Sequence, residues 1–139
     1  MIRALAFLVC AAPAHAWEFT PTPICTLSHA EAHAEVKVTY DHATTLYAIA
    51  VTSVEGWPGA AAFSIWFDGA QPNTISTTRH SIDANTLTVT DSGFGNVLDG
   101  LEFNATATAF TQTAAVSVSL DGAAGPVQQF RACASAITS

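Results

Sequence analysis

Alternation of apolar and polar residues with a period of two runs through most of this chain, and it restricts the fold more than any other feature. Residues 35–40 place Val36, Val38 and Tyr40 on one face and Lys37 and Thr39 on the other. Residues 46–54 are apolar enough for a central strand, and 62–67 (AFSIWF), 86–90 (TLTVT), 102–110 and 114–120 repeat the pattern. Shorter strands are expected at 74–78 and 80–82. Turn residues separate them: Gly56-Trp57-Pro58-Gly59, Asp68-Gly69, Gln71-Pro72-Asn73 and Asp83-Ala84-Asn85. Short strands punctuated at roughly 8–12 residues indicate an antiparallel sandwich. The expected fold is therefore mainly β: a β-sandwich of about seven or eight short strands, immunoglobulin-like or partly closed into a barrel.

Two segments leave this pattern. Residues 91–101 (DSGFGNVLDGL) read as a glycine-rich loop entering about one helical turn, with Phe94 and Leu98 packing inward and the glycines supplying positive φ. After Leu120, Asp121-Gly122 opens a short C-terminal helix with Pro126 in its first turn and Val127, Phe130, Arg131 and Ala134 at helical spacing.

The N-terminus has the layout of an export signal. Arg3 is followed by the apolar run 4–12, then Pro13 and the small-residue site Ala14-His15-Ala16. The run is too short to span a bilayer, which takes about 20 residues. Residues 1–16 are read as a signal peptide cleaved after Ala16, and 17–139 as one domain, periplasmic or secreted, with no membrane span. Lipidation at Cys10 is the alternative, but Val9 is a poor residue to precede a lipidated cysteine. Removal of Cys10 with the signal leaves Cys25 and Cys133, an even pair in an oxidising compartment, and a disulfide between them is expected. It closes a loop of roughly a hundred residues, for which chain entropy gives about 4.7 kcal/mol before strain. With no CxxC, the pair reads as a structural staple.

The chain is 50% apolar and 11% charged, a composition of folded rather than disordered protein. Its formal net charge is −7. Beyond the signal the cations are Lys37, Arg79 and Arg131. Such an acidic surface repels phosphate backbones, and there is no GxxxxGK[ST] loop, so nucleic acid and nucleotide are not the expected partners.

Several residues are candidates for function. His29, Glu31, His33 and Glu35 alternate with alanines, so on one strand all four share a face, and on a helix His29 and His33 lie a turn apart. Either geometry offers imidazole and carboxylate to Zn²⁺ or Cu²⁺ at surface-grade affinity. A solvated edge strand is the plainer reading. Asp91, Asn96 and Asp99 carry oxygen ligands, but not at EF-hand spacing. Trp57 sits in a turn where it either anchors a partner or covers the end of the sandwich. Trp66 is expected in the core. His80, Ser81 and Asp83 have the residue types of a hydrolytic triad, yet strand neighbours point to opposite faces and no GxSxG elbow is present. Asn104-Ala105-Thr106 matches the glycosylation sequon but falls within an expected strand.

The exported start, the early cysteine, the alternating strands, the short helix near NVLDGL and the ending VSVSLDGAAGPVQQFRAC together resemble small bacterial periplasmic proteins related to the invasion-associated locus B family. The resemblance covers most of the chain beyond the signal, although the mid-chain cysteines common in that family are missing. It implies an envelope β-sandwich and carries over no catalytic residue. The expected role is a non-enzymatic module with no resident cofactor, binding an envelope protein or small ligand through Trp57, Phe94, Asn96 and Asp99. The alternative is a periplasmic metal-binding protein using His29, Glu31 and His33, and a third reading is an enzyme site assembled from distant loops.

Overall fold

The computed structural model describes residues 15–136. It is a β-sandwich of two antiparallel sheets. In chain order the strands are β1 (His15–Thr20), β2 (Cys25–Glu31), β3 (Ala34–Asp41), β4 (Leu46–Ser53), β5 (Phe63–Gly69), β6 (Asn73–Thr77), β7 (His80–Asp83) and β8 (Thr86–Asp91). Helix α1 (Gly95–Phe103), strands β9 (Asn104–Phe110) and β10 (Ala115–Ser119), and helix α2 (Ala124–Ser135) complete the order. The larger sheet runs β1-β2-β3-β4-β8-β7 and the smaller β10-β9-β5-β6. Both sheets are open, so the sandwich rather than the closed barrel is realised.

Among the described residues ten strands stand where about seven or eight were expected. The additional strands are β1 and β2, whose sequences do not alternate cleanly because Trp17, Cys25 and Leu27 enter the core among serine, threonine and histidine. Of the residues expected to form an export signal, those up to Ala14 lie outside the described residues. The boundary after Ala16 falls within β1, whose pairs Glu18–Ser28, Phe19–Leu27 and Thr20–Thr26 lie beyond it.

The core is the interleaf of the two sheets. Val36, Val38, Ile49, Val51 and Leu87 from the larger sheet meet Phe63, Ile65, Phe67, Ala107, Val116 and Val118 from the smaller. Each set occupies alternate positions, as the period-two pattern requires. Fully burying a large apolar side chain contributes about 1.5–3 kcal/mol, so this layer dominates the stability.

The two helices cover one end. α1 is nine residues long, not a single turn. It takes over Glu102 and Phe103, which alternation assigned to the next strand. Gly93 and Gly95 do not have positive φ; the left-handed glycines are Gly56, Gly69 and Gly122. Gly100 serves α1 differently: a Cβ there would overlap the Phe67 ring, so glycine lets the helix sit directly on the sheet. α2 buries Val127, Phe130 and Ala134, as helical spacing predicts. Arg131 joins the helices, its Nε donating to Glu102 Oε1 at 2.9 Å and its Nη2 to Asp99 Oδ1 at 2.7 Å.

The expected disulfide is present. Cys25 at the start of β2 is bonded to Cys133 in α2, with Cα atoms 5.9 Å apart across 108 residues of sequence. It fixes the last element against the second strand, where a terminal helix would otherwise fray.

Candidate functional site: an open cleft and a latched seam

Some of the sequence candidates meet at the two lateral seams of the sandwich, where the edges of the two sheets come together. At one seam β1 and the β2–β3 hairpin face β10. His29 and Glu31 lie on β2, two residues apart and therefore on one face. His33 does not continue that strand. Ala32 and His33 form the hairpin turn, so His33 reaches the same corner by chain reversal. The single-strand and single-helix placements of this cluster are both corrected.

The cluster is engaged in hydrogen bonds across the seam. Glu31 Oε2 pairs with His29 Nε2 at 2.8 Å and accepts the Ser119 N–H at 2.8 Å. His33 Nε2 donates to the Ser117 carbonyl at 2.6 Å, and Trp17 Nε1–H donates to the Ser119 carbonyl at 2.8 Å. The Trp17 indole stacks on the His29 imidazole with centroids 4.6 Å apart. These side chains satisfy outward backbone groups of the edge strand β10, which would otherwise offer pairing sites to another chain. Burial pushes the Glu31 carboxyl up, but the hydrogen bonds from His29 and the Ser119 N–H, together with the nearby imidazoles, more than offset it. Glu31 therefore titrates below its ordinary value of 4.5. Among the described residues no group of three or more His, Cys, Asp or Glu is placed to hold a metal ion. His42 and His80 lie apart from the corner: His42 packs edge-on to Tyr40, and His80 Nε2 bonds the Ala60 carbonyl at 2.9 Å.

The other seam is crossed by the chain, which passes from β6 through Thr78 and Arg79 into β7, the edge strand of the larger sheet, and beside that crossing it is open. Between β4 and β8 of the larger sheet and β5 and β6 of the smaller lies a cleft of about 450 Å³. Ile49, Ile65, Ile75, Val89, Phe63 and Phe94 supply its apolar walls, and Thr77 and Asn96 add polar groups. Arg79 and Asp91 also line it, their charged ends 3.7 Å apart and well exposed. Small-molecule sites are typically concave and about 300–1,000 Å³, a range that includes this cleft, whose surface is shared about equally by polar and apolar groups.

The loop anticipated as a binding surface thus contributes Phe94 and Asn96 to the cleft. Phe94 is itself buried and stacks on Tyr47 at 5.3 Å, forming wall rather than exposed anchor. Asp99 is elsewhere, in the ion pair with Arg131. Trp57 is not an exposed anchor: its ring is 5% exposed, packs edge-on to Phe63 at 6.0 Å and donates Nε1–H to the Val51 carbonyl at 2.9 Å. It covers the end of the sandwich, the alternative reading of its turn. Trp66 reverses the opposite expectation and is 46% exposed on the outside of the smaller sheet. Sequence reasoning missed Arg79, Ile75 and Val89, which converge only when the sheets pack. At the sequon, Asn104 is held by the chain itself: its side chain accepts the Gln71 N–H at 2.9 Å and donates to the Gln71 carbonyl at 2.9 Å.

Comparison with protein-family models, curated proteins and solved structures returns no match for this chain.

Proposed function

We propose that this protein is an exported, non-enzymatic binding module whose interleaf cleft takes a small amphipathic ligand carrying one anionic group. The observation that supports this reading is the cleft itself: apolar walls from both sheets with the Arg79 guanidinium at the opening. Arg79 can turn from Asp91 to a ligand carboxylate at small cost, because an exposed ion pair contributes only about 0–1 kcal/mol. The reading of an exported envelope protein rests on the N-terminal segment and on the resemblance to proteins related to the invasion-associated locus B family. A disulfide is compatible with that location, as is the fact that no helix among the described residues is long and apolar enough to cross a membrane.

The test is calorimetric titration of the protein with dodecanoate and with uncharged dodecanol. Dodecanoate is expected to bind at micromolar level and dodecanol more weakly. Ile75→Glu places a negative charge on the wall and lowers dodecanoate affinity more than about tenfold, equivalent to about 1.4 kcal/mol. Arg79→Ala removes the preference for the carboxylate. Absence of binding to either probe, or binding unchanged in both variants, rejects the cleft as the site.

A further inference from the structure

The smaller sheet turns one face to the core and the other away from it. Phe63, Ile65 and Phe67 of β5 are buried, so Ser64, Trp66 and Asp68 project outward. The registers define their neighbours. Trp66 lies between Thr74 of β6 and Thr108 of β9, Ser64 between Ser76 and Phe110, and Asp68 beside Thr106. Ser117 and Ser119 of β10 extend these rows past Thr108 and Thr106. The hydroxyls are already ordered, Ser64 with Ser76 at 2.7 Å and Thr108 with Ser117 at 2.6 Å. The outward positions of these four strands thus present a large exposed indole in a field of hydroxyl groups, with one carboxylate and no lysine or arginine. A depression of about 370 Å³, lined by Ala60, Ala61, Ser64, Phe110 and Gln112, adjoins it. Phe110 is diagonal to Trp66 across the β5–β9 pair, a separation of roughly 7–8 Å.

We infer that this outer face, centred on Trp66 and continued by the Phe110 depression, is a binding site for a neutral saccharide. A pyranose ring has an apolar face of C–H bonds and an edge of hydroxyls. The C–H face complements the electron-rich face of an indole, and the edge finds donors and acceptors in Ser64, Thr74, Thr108, Asp68 and Gln112. A protein interface would instead need a contiguous apolar centre, and here the apolar groups are separated by hydroxyls. Single-stranded nucleic acid also stacks on aromatic rings, but its phosphates require basic residues, which these outward positions lack, and the chain carries a net charge of −7. The site is distinct from the interleaf cleft, whose walls lie on the opposite face of the same strands.

The test uses the whole protein with cellohexaose, maltohexaose and chitohexaose, and with a dT oligonucleotide as the competing class. Trp17 and Trp57 are 4% and 5% exposed, so a ligand-induced change in indole emission reports on Trp66. At least one hexasaccharide is expected to alter emission and to bind by calorimetry. Trp66→Ala should lower that affinity at least about tenfold with the thermal midpoint unchanged, while Trp66→Tyr retains part of it. Asp68→Asn should weaken it severalfold, and Ile75→Glu should leave it unaltered, separating this site from the dodecanoate cleft. Binding of none of the three sugars, equal binding by Trp66→Ala, or binding of the oligonucleotide in their place overturns the inference.

Discussion

The two seams of this sandwich meet the same problem, an exposed sheet margin, in opposite ways. Where β1 and the β2–β3 hairpin approach β10, the gap is spanned by Trp17, Glu31 and His33, each hydrogen-bonded to the β10 backbone. At the other margin the chain crosses from β6 to the edge strand β7, and beside that crossing β8 and β6 leave a cleft of about 450 Å³, with Arg79 and Asp91 among its lining residues. The closed seam uses residues that read from sequence as chemistry-bearing, and the open seam is built from ordinary isoleucine, valine and phenylalanine. A polar cluster can thus be drawn into holding the fold together, His29 Nδ1 being left without a hydrogen-bond partner, while a ligand-sized space arises among residues with no distinctive chemistry.

Perturbing the closed side should cost far more stability than perturbing the open one. The largest effect is expected from Trp17→Ala, which removes a buried indole, its stacking on His29 and its bond to Ser119. A loss of about 4 kcal/mol in urea unfolding is predicted. A loss below about 1 kcal/mol would show that the seam is not held by this residue. Next comes the staple at the base of β2. Cys25→Ser with Cys133→Ser should lower stability by about 3 kcal/mol, the entropy of the 108-residue loop less strain. Mass analysis before and after reduction should show a gain of two hydrogens.

Glu31→Ala ranks third, at about 2 kcal/mol, because it leaves the Ser119 N–H and His29 Nε2 without their partner. This residue also gives the closed seam a pH dependence. Its folded-state titration lies below the ordinary value of 4.5, so its contribution is present above that value and is lost as pH falls below it. Unfolding followed from pH 6 to pH 3 should lose part of its acid slope in Glu31→Gln; an identical slope would remove Glu31 from the account. The smallest effect belongs to the open seam. Arg79→Ala should change stability by less than about 0.5 kcal/mol, since its pair with Asp91 is exposed. A larger loss would mean that the open side, too, is held by charge.

The fold was legible where one rule governed each residue. Strands 35–40, 46–54 and 86–90 match β3, β4 and β8 to within a residue or so, because alternation directly encodes which side faces the core. Trp66 was legible in the same way and was misplaced only by its bulk: Ser64 and Asp68 share its face, and Phe63, Ile65 and Phe67 share the other. Trp57 is the converse case, a turn residue whose burial depends on Phe63 and on the Val51 carbonyl, neither adjacent in sequence.

By itself the sequence determined the class of fold, most strand positions, the terminal helix and the one cysteine pair. Each follows from periodicity, from local turn chemistry or, for the cysteine pair, from reading Cys10 as part of an export signal. Only the tertiary structure decided the use of the seams. It brought His33 to Glu31 through a hairpin turn, joined both to a strand more than eighty residues away, and set Ile75, Val89 and Arg79 around a single space. Such convergence depends on how the two layers close over their shared core, and no period along the chain records which margin will be latched and which left open.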